Sequence, residues 1–229
     1  MPQPAANAVG ASWSALVTAS CLVSVIVLAL SPSSVWAQGT IEGRVTLSQE
    51  KAAPVQIKRY DIVSKRGVVS TNPYVAVVYL EGSFPVSGPL PVKEMIQKDF
   101  MFDPALMPAR TGTKVEFPNL DDAYHDVFSY SKAKRFDLGR YLRDETPVPF
   151  VVFDKPGLVT LRCDIHEHMR AVVLVLDTPH FVITGTDGKF RLTGLPAGKY
   201  KLKAWLDSKK TLEQDVEVRN KATVKVNFP

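Results

Sequence analysis

Cysteine, histidine and long apolar runs are all scarce in this chain of 229 residues, and each scarcity excludes something. The longest uncharged apolar stretch, Ala15 to Leu30, falls short of the roughly 20 residues that a membrane-spanning helix needs. Ser-Pro-Ser-Ser and then Val35-Trp36-Ala37 follow it, a small-x-small cleavage pattern. Residues 1–37 therefore read as a signal peptide, although no Lys or Arg precedes the apolar run. The mature chain is expected to begin at Gln38, exported to a bacterial periplasm with no stable membrane span after cleavage. Cys21 reads as a small apolar filler and not as a lipidated residue, because the run continues past it to Leu30. Its removal leaves Cys163 alone, so no disulfide can close within the mature chain. A lone thiol in an oxidising compartment needs protection, by burial or by a metal.

Charge of one sign is also in short supply. Lys plus Arg number 28 against 23 Asp plus Glu, a net +5, and none of these residues precedes Ala37. The excess is scattered. No tight Lys/Arg block interleaved with aromatics is present, so nucleic acid is not an expected partner.

A long amphipathic helix is missing too. Short alternating runs of Val, Ile, Phe and Tyr, broken by Gly, Pro, Asn and Asp, indicate an all-β chain. Strands are expected over Thr40–Leu47, Tyr74–Leu80, Val92–Gln97, Lys114–Phe117, Val148–Phe153, Leu158–Cys163 and Ala171–Leu176. Leu176-Asp177-Thr178-Pro179 marks a boundary. Beyond it Phe190 and Leu192, then Tyr200, Leu202 and Ala204, alternate with polar residues around the turn Gly194-Leu195-Pro196-Ala197-Gly198. Val-rich strands follow near Val216 and Val224. This is the pattern of a small antiparallel sandwich.

The chemistry concentrates in Cys163-Asp164-Ile165-His166-Glu167-His168-Met169, with a second cluster over Asp121 to Phe128. A Cys-x2-His pair alone is weak. A cysteine, a histidine three on, a methionine three further and an upstream histidine at 125 form a rarer set. Two imidazoles, a thiolate and a thioether are the donors of a mononuclear copper site, with the thioether weak and axial. His125, Cys163, His166 and Met169 are the expected ligands, three from a loop between two strands and His125 from a neighbouring loop.

Residues 92–177 resemble the cupredoxin family. The likeness rests on Phe102-Asp103-Pro104, on Gly112 to Asn119, on Asp122 to Val127, and on Pro156-Gly157 before the strand into Cys163. The short Cys-x2-His-x2-Met loop is similar to that of amicyanins. His125 to Ser129 with Lys134 to Tyr141 resembles exported proteins labelled methylamine-utilisation or plastocyanin-like. Thr186 to Tyr200 resembles the carboxypeptidase regulatory-like family, of transthyretin-like fold. Together the resemblances imply a Greek-key cupredoxin β-sandwich over 92–177 and a small transthyretin-like sandwich over 178–229. Two strands that the second family places before its Asp-Gly turn are missing there. They occur instead as Ile41-Glu42-Gly43-Arg44-Val45 and Val75 to Glu81, so residues 38–91 are expected to supply the first part of a sandwich split by the central domain. The competing reading has these strands extend the central sheet. The segment between Gln49 and Thr71 has no clear role.

Cupredoxins commonly carry Asn after the first histidine and a small polar residue after the cysteine. Asp126 and Asp164 stand there, and two facing carboxylates would repel or share a proton. Zinc competes for Cys and His, but Met169 as a fourth donor disfavours it. Alternatives stay open for single residues: Cys163 as an inert buried thiol, His168 as a solvated residue or a substitute for His166. His180 reads as structural and Asp121-Asp122 as a turn. Lys132, Lys134, Arg135, Arg140 and Arg143 are either a positive rim that steers an acidic redox partner or ordinary solvated charges. The function that follows is a one-electron carrier cycling one copper between Cu(I) and Cu(II), not an enzyme, since four histidines are too few for further copper centres. The alternatives are a copper carrier or sensor and a purely structural module.

Overall fold

The structure, a computed structural model, describes residues 38–47, 75–85 and 88–229. The expected leader with Cys21, Tyr74 and the segment from Gln49 to Thr71 lie outside the described residues. Among the described residues no helix is long and apolar enough to cross a membrane. The elements are all strands. First come β1 (Gly39–Val45), β2 (Val77–Leu80), β3 (Lys93–Glu94), β4 (Ile96–Lys98), β5 (Met101–Asp103) and β6 (Leu106–Arg110). They are followed by β7 (Thr113–Glu116), β8 (His125–Tyr130), β9 (Arg135–Tyr141), β10 (Phe150–Phe153), β11 (Gly157–Arg162) and β12 (Arg170–Leu176). The last are β13 (Phe181–Ile183), β14 (Lys189–Leu195), β15 (Gly198–Trp205), β16 (Thr211–Val218) and β17 (Thr223–Phe228).

Strand β1 lies between β14 and β17, and β2 lies between β13 and β15. The early strands thus pair with the C-terminal ones, as a sandwich divided in sequence requires. Its apolar core holds Ile41 and Val45 from β1, Val78 and Leu80 from β2, and Phe190, Leu202 and Phe228 from the C-terminal strands. The alternation read from residues 190–204 works as expected, with Phe190 and Leu192 inward and Lys189 and Arg191 outward. One expectation is corrected: the sandwich is not wholly antiparallel, because β1 runs parallel to β17, Glu42 opposite Lys225. A hairpin forces antiparallel neighbours, whereas β1 and β17 are joined through the whole intervening chain and are free of that constraint. Gly43 is needed at the contact, since a Cβ there would lie 1.6 Å from the Val226 carbonyl oxygen.

The central region packs the five-stranded sheet β6-β12-β11-β8-β9 and the three-stranded sheet β10-β7-β3 around one core. Met95, Phe117, Phe153, Leu161 and Val173 are fully buried in it. The single strand expected over Val92–Gln97 is two, because the chain changes partners at buried Met95: β3 pairs with β7, and β4 forms a hairpin with β5. Strand β6 escaped the sequence reading because Pro108 lies inside it. Proline is tolerated there because, among the described strands, β6 stands at the sheet edge and pairs with β12 alone.

Strand β12 belongs to two cores at once. Ala171, Val173 and Val175 face the central core, and Val172, Leu174 and Leu176 face a third cluster with Leu106, Val77 and Trp205. Alternation of period two on a strand buried on both faces makes this possible. The two sandwiches therefore share an apolar seam, and its strand begins one residue after Met169.

Candidate metal centre

Strands β11 and β12 form an antiparallel hairpin with Arg162 opposite Arg170, so the loop Cys163 to Met169 leaves and re-enters the sheet at one level. The Met169 amide donates to the His166 carbonyl at 2.9 Å, and the Cys163 amide to the Met169 carbonyl at 3.4 Å. These bonds close the loop on itself. Cys163 and Met169 are turned into the central core, 3% and 1% exposed.

His125 was expected on a loop; it is instead the first residue of β8, opposite Tyr141 of β9. Ladder pairing fixes its backbone, and its side chain is completely buried. One donor atom each from His125, Cys163 and His166 lies within 4.8 Å of the others. The two Nδ1 atoms are 3.1 Å apart, and His166 Nδ1 is 3.7 Å from the Cys163 sulfur. The structure thus brings together three of the four expected ligands, with Met169 buried in the same core cluster as Cys163. His168 stays at the rim, its ring 6.2 Å from that of His166.

The far nitrogen of His125 is held by Asp121, expected from the sequence to serve only in a turn. Asp121 Oδ2 lies 2.8 Å from His125 Nε2. With a proton on Nε2 donated to that carboxylate, the neutral ring turns the Nδ1 lone pair towards His166 and Cys163. Asp122, its neighbour, is exposed and pairs with Arg143 at 3.2 Å, so the two aspartates are not an acid/base dyad. The i,i+4 spacing of Asp121 and His125 was the available signal, obscured by an Asn-Leu-Asp-Asp stretch that reads as a turn.

Burial lowers the pKa of His166, helped by the neighbouring positive potential of His125 and His168. A neutral imidazole is the form that ligates metal. Asp164 repels Asp126, as the sequence suggests for neighbouring carboxylates, even though it also has a cationic partner. Asp164 turns outward to Arg140 at 2.6 Å. Asp126 is 3% exposed, and burial followed by the Asp137 and Asp164 charges raises its pKa to about 7. Its Oδ1 has no hydrogen-bond partner among the described residues. Behind the site, Gln97 donates to the Tyr141 hydroxyl at 2.5 Å, and Tyr141 to the Phe117 carbonyl at 2.8 Å.

The donor set fits copper. A buried cysteine sulfur, two imidazoles whose donor nitrogens lie within 4.8 Å of it and of each other, and a buried thioether in the same core cluster are soft and borderline donors, the types copper prefers. Of the two readings of the basic residues, a positive rim or ordinary surface charges, the pairing supports the second. Lys134 pairs with Asp154, Arg140 with Asp164 and Arg143 with Asp122, while Arg135 lies over the Tyr130 ring. The acidic partners, Asp122, Asp154 and Asp164, are scattered in sequence among loops and strand ends, so the pairing shows only in three dimensions.

Residues 169–229 match the family model of the carboxypeptidase regulatory-like domain. The matched span runs through β12, which pairs in the central sheet, and leaves out β1 and β2, which pair with the C-terminal strands. No curated protein matches the chain. Among solved structures, it is similar to a Cu-containing nitrite reductase from Thermus scotoductus SA-01, at 24% identity and a TM-score of 0.36. That match covers 44% of this chain and 25% of that one, so the chain spans about a quarter of the enzyme. An oxidised variant of amicyanin is similar at 15% identity, TM-score 0.34, over 37% of this chain and 81% of that one. A purple cupredoxin from Nitrosopumilus maritimus is similar at 19% identity, TM-score 0.32, over 36% and 98%. The all-β chain matches the carboxypeptidase regulatory-like domain over residues 169–229, and the solved structures similar to part of it include cupredoxins.

Proposed function

We propose that the mature chain is a periplasmic one-electron carrier holding a single copper ion at His125, Cys163, His166 and Met169. The observation that carries this reading is the convergence of the His125, Cys163 and His166 donor atoms within 4.8 Å, beside buried Met169. Copper held there supplies the Cu(I)/Cu(II) couple. The protein's part is to keep the donors where they are in both states. Strand β8 and Asp121 fix His125, the bonds inside the loop fix Cys163 relative to Met169, and the seam behind β12 resists movement of the strand that follows. A site whose ligands all come from the protein suits electron transfer better than substrate turnover.

The domain plan belongs to the same proposal: a leader over 1–37, a copper domain over 92–177, and one sandwich assembled from 38–91 and 178–229. The partners are redox proteins that donate and accept the electron. With the basic rim largely paired, exposed Leu120, Tyr124 and Leu142, near His125 or its strand partner Tyr141 in sequence, offer them an apolar contact. The second reading, a carrier that hands copper to a partner, is favoured by the half-buried setting of His166. Replacement of single ligands separates the two. Cys163→Ala should abolish any thiolate-to-copper band. Met169→Leu should keep a coloured site with a raised potential, because losing a weak axial donor destabilises Cu(II) more than Cu(I). His168→Ala should change little. Reversible one-electron voltammetry supports the electron carrier, and rapid loss of metal to a chelator supports the copper carrier.

A further inference from the structure

The hairpin of β4 and β5 turns through two residues, Asp99 and Phe100, with φ of 53° and 59°. Two-residue turns with both central φ values positive favour Asn-Gly, because a side chain at the second position crowds the backbone. A phenylalanine stands there, on a backbone that suits glycine. Its ring stands nearly perpendicular to both imidazoles of the metal centre. It lies 4.9 Å from the His166 ring at 81° and 5.6 Å from the His125 ring at 85°. It is half-buried and packs against the core cluster that contains Cys163 and Met169.

Asp121 holds this turn in place. Its Oδ1 accepts from the Asp99 amide at 2.7 Å and its Oδ2 from the Phe100 amide at 3.0 Å. The same Oδ2 is 2.8 Å from His125 Nε2. One carboxylate thus ties the strained turn to the innermost ligand, and both amides of the turn converge on it. We propose that Phe100 is the door of the metal centre, closing it to solvent and small reagents, and that Asp121 is a positioning residue that keeps the door shut. The proposal rests on the copper reading only for what passes the door. The closure itself concerns the chain without metal.

Cys163, 3% exposed, supplies a metal-free reporter. The copper-free full chain is treated with iodoacetamide in increasing urea below the unfolding transition, and modification of Cys163 is followed by peptide mass, which separates it from Cys21. Phe100→Ala should react on the order of tenfold faster than wild type with little urea dependence, the signature of local opening. Asp121→Asn should accelerate by a smaller factor, about threefold, because an amide nitrogen replaces one acceptor of the turn. Phe150→Ala, an exposed aromatic on β10, should react as wild type. Cu(II) uptake by the same proteins should follow the same order. A Phe100→Ala rate within about twofold of wild type, or an acceleration whose urea slope equals that of global unfolding, overturns the proposal. Wild-type protein that takes up no copper overturns the proposed function instead, and leaves the thiol rates to decide the door.

Discussion

The central sandwich buries Gln97, Thr113, Asn119, His125, Asp126 and Ser129, whereas on the C-terminal side the buried polar side chains among the described residues are Thr178 and Thr184. Thr184 is well satisfied: its hydroxyl accepts from the Ala76 amide at 2.9 Å, and its amide donates to the Ala76 carbonyl at 2.9 Å. In the central sandwich, Gln97 Oε1 and Asp126 Oδ1 have no partner among the described residues. Burying a polar atom without a hydrogen bond costs on the order of 1–3 kcal/mol. The difference teaches that one sandwich is built for stability, while the other carries polar groups that a core alone would not need. The seam through β12 lets the first support the second.

The strongest way to break this comparison is to damage the supporting sandwich at its tightest point. Gly43→Ala should lower stability by about 3 kcal/mol or more, because the new Cβ cannot coexist with the Val226 carbonyl. Urea unfolding measures it, and a wild-type midpoint would show that β1 does not hold the place between β14 and β17. Leu174→Ala, in the shared seam, should cost about 2–4 kcal/mol and lower the unfolding midpoint of both sandwiches together. Two separate transitions in the parent protein, with the variant moving one of them, would reduce the seam to a passive contact.

The smallest effect sharpens the comparison at the junction. His180 stands edge-on to Phe84, ring centroids 4.6 Å apart, and burial first, then Arg110, lowers its pKa. The folded state therefore resists protonating it. The stability tied to neutral His180 is fully present above the ordinary histidine value near 6.5 and is lost as pH falls through the folded pKa. The stability difference between wild type and His180→Gln, from urea midpoints at pH 8 and pH 5, should shrink or reverse at the lower pH. A difference that stays constant would place no proton linkage at this residue.

Much of the fold was legible in the sequence for a local reason. Alternation at Phe190, Leu192, Leu202 and Ala204 reports directly which face is buried. The pairing of Ile41 with strands some 150 residues away was suggested by strands missing where a family pattern expects them, a signal of absence and not of periodicity. Strand β6 was hidden by Pro108, and the break at Met95 because a change of strand partner has no residue-type signature of its own. His125, Cys163 and His166 were legible because few other residue types share their chemistry. The parts Asp121 and Phe100 play were not, because they depend on one carboxylate reaching two amides and an imidazole, a fact of three-dimensional placement.

The central claim is tested most directly by adding one equivalent of Cu(II) to protein produced from Gln38 onward and recording its visible spectrum and electron paramagnetic resonance. The account predicts stoichiometric binding with an intense thiolate-to-copper band and a narrow copper hyperfine splitting, both lost in Cys163→Ala. Binding without that band, or a spectrum unchanged by Cys163→Ala, would contradict it.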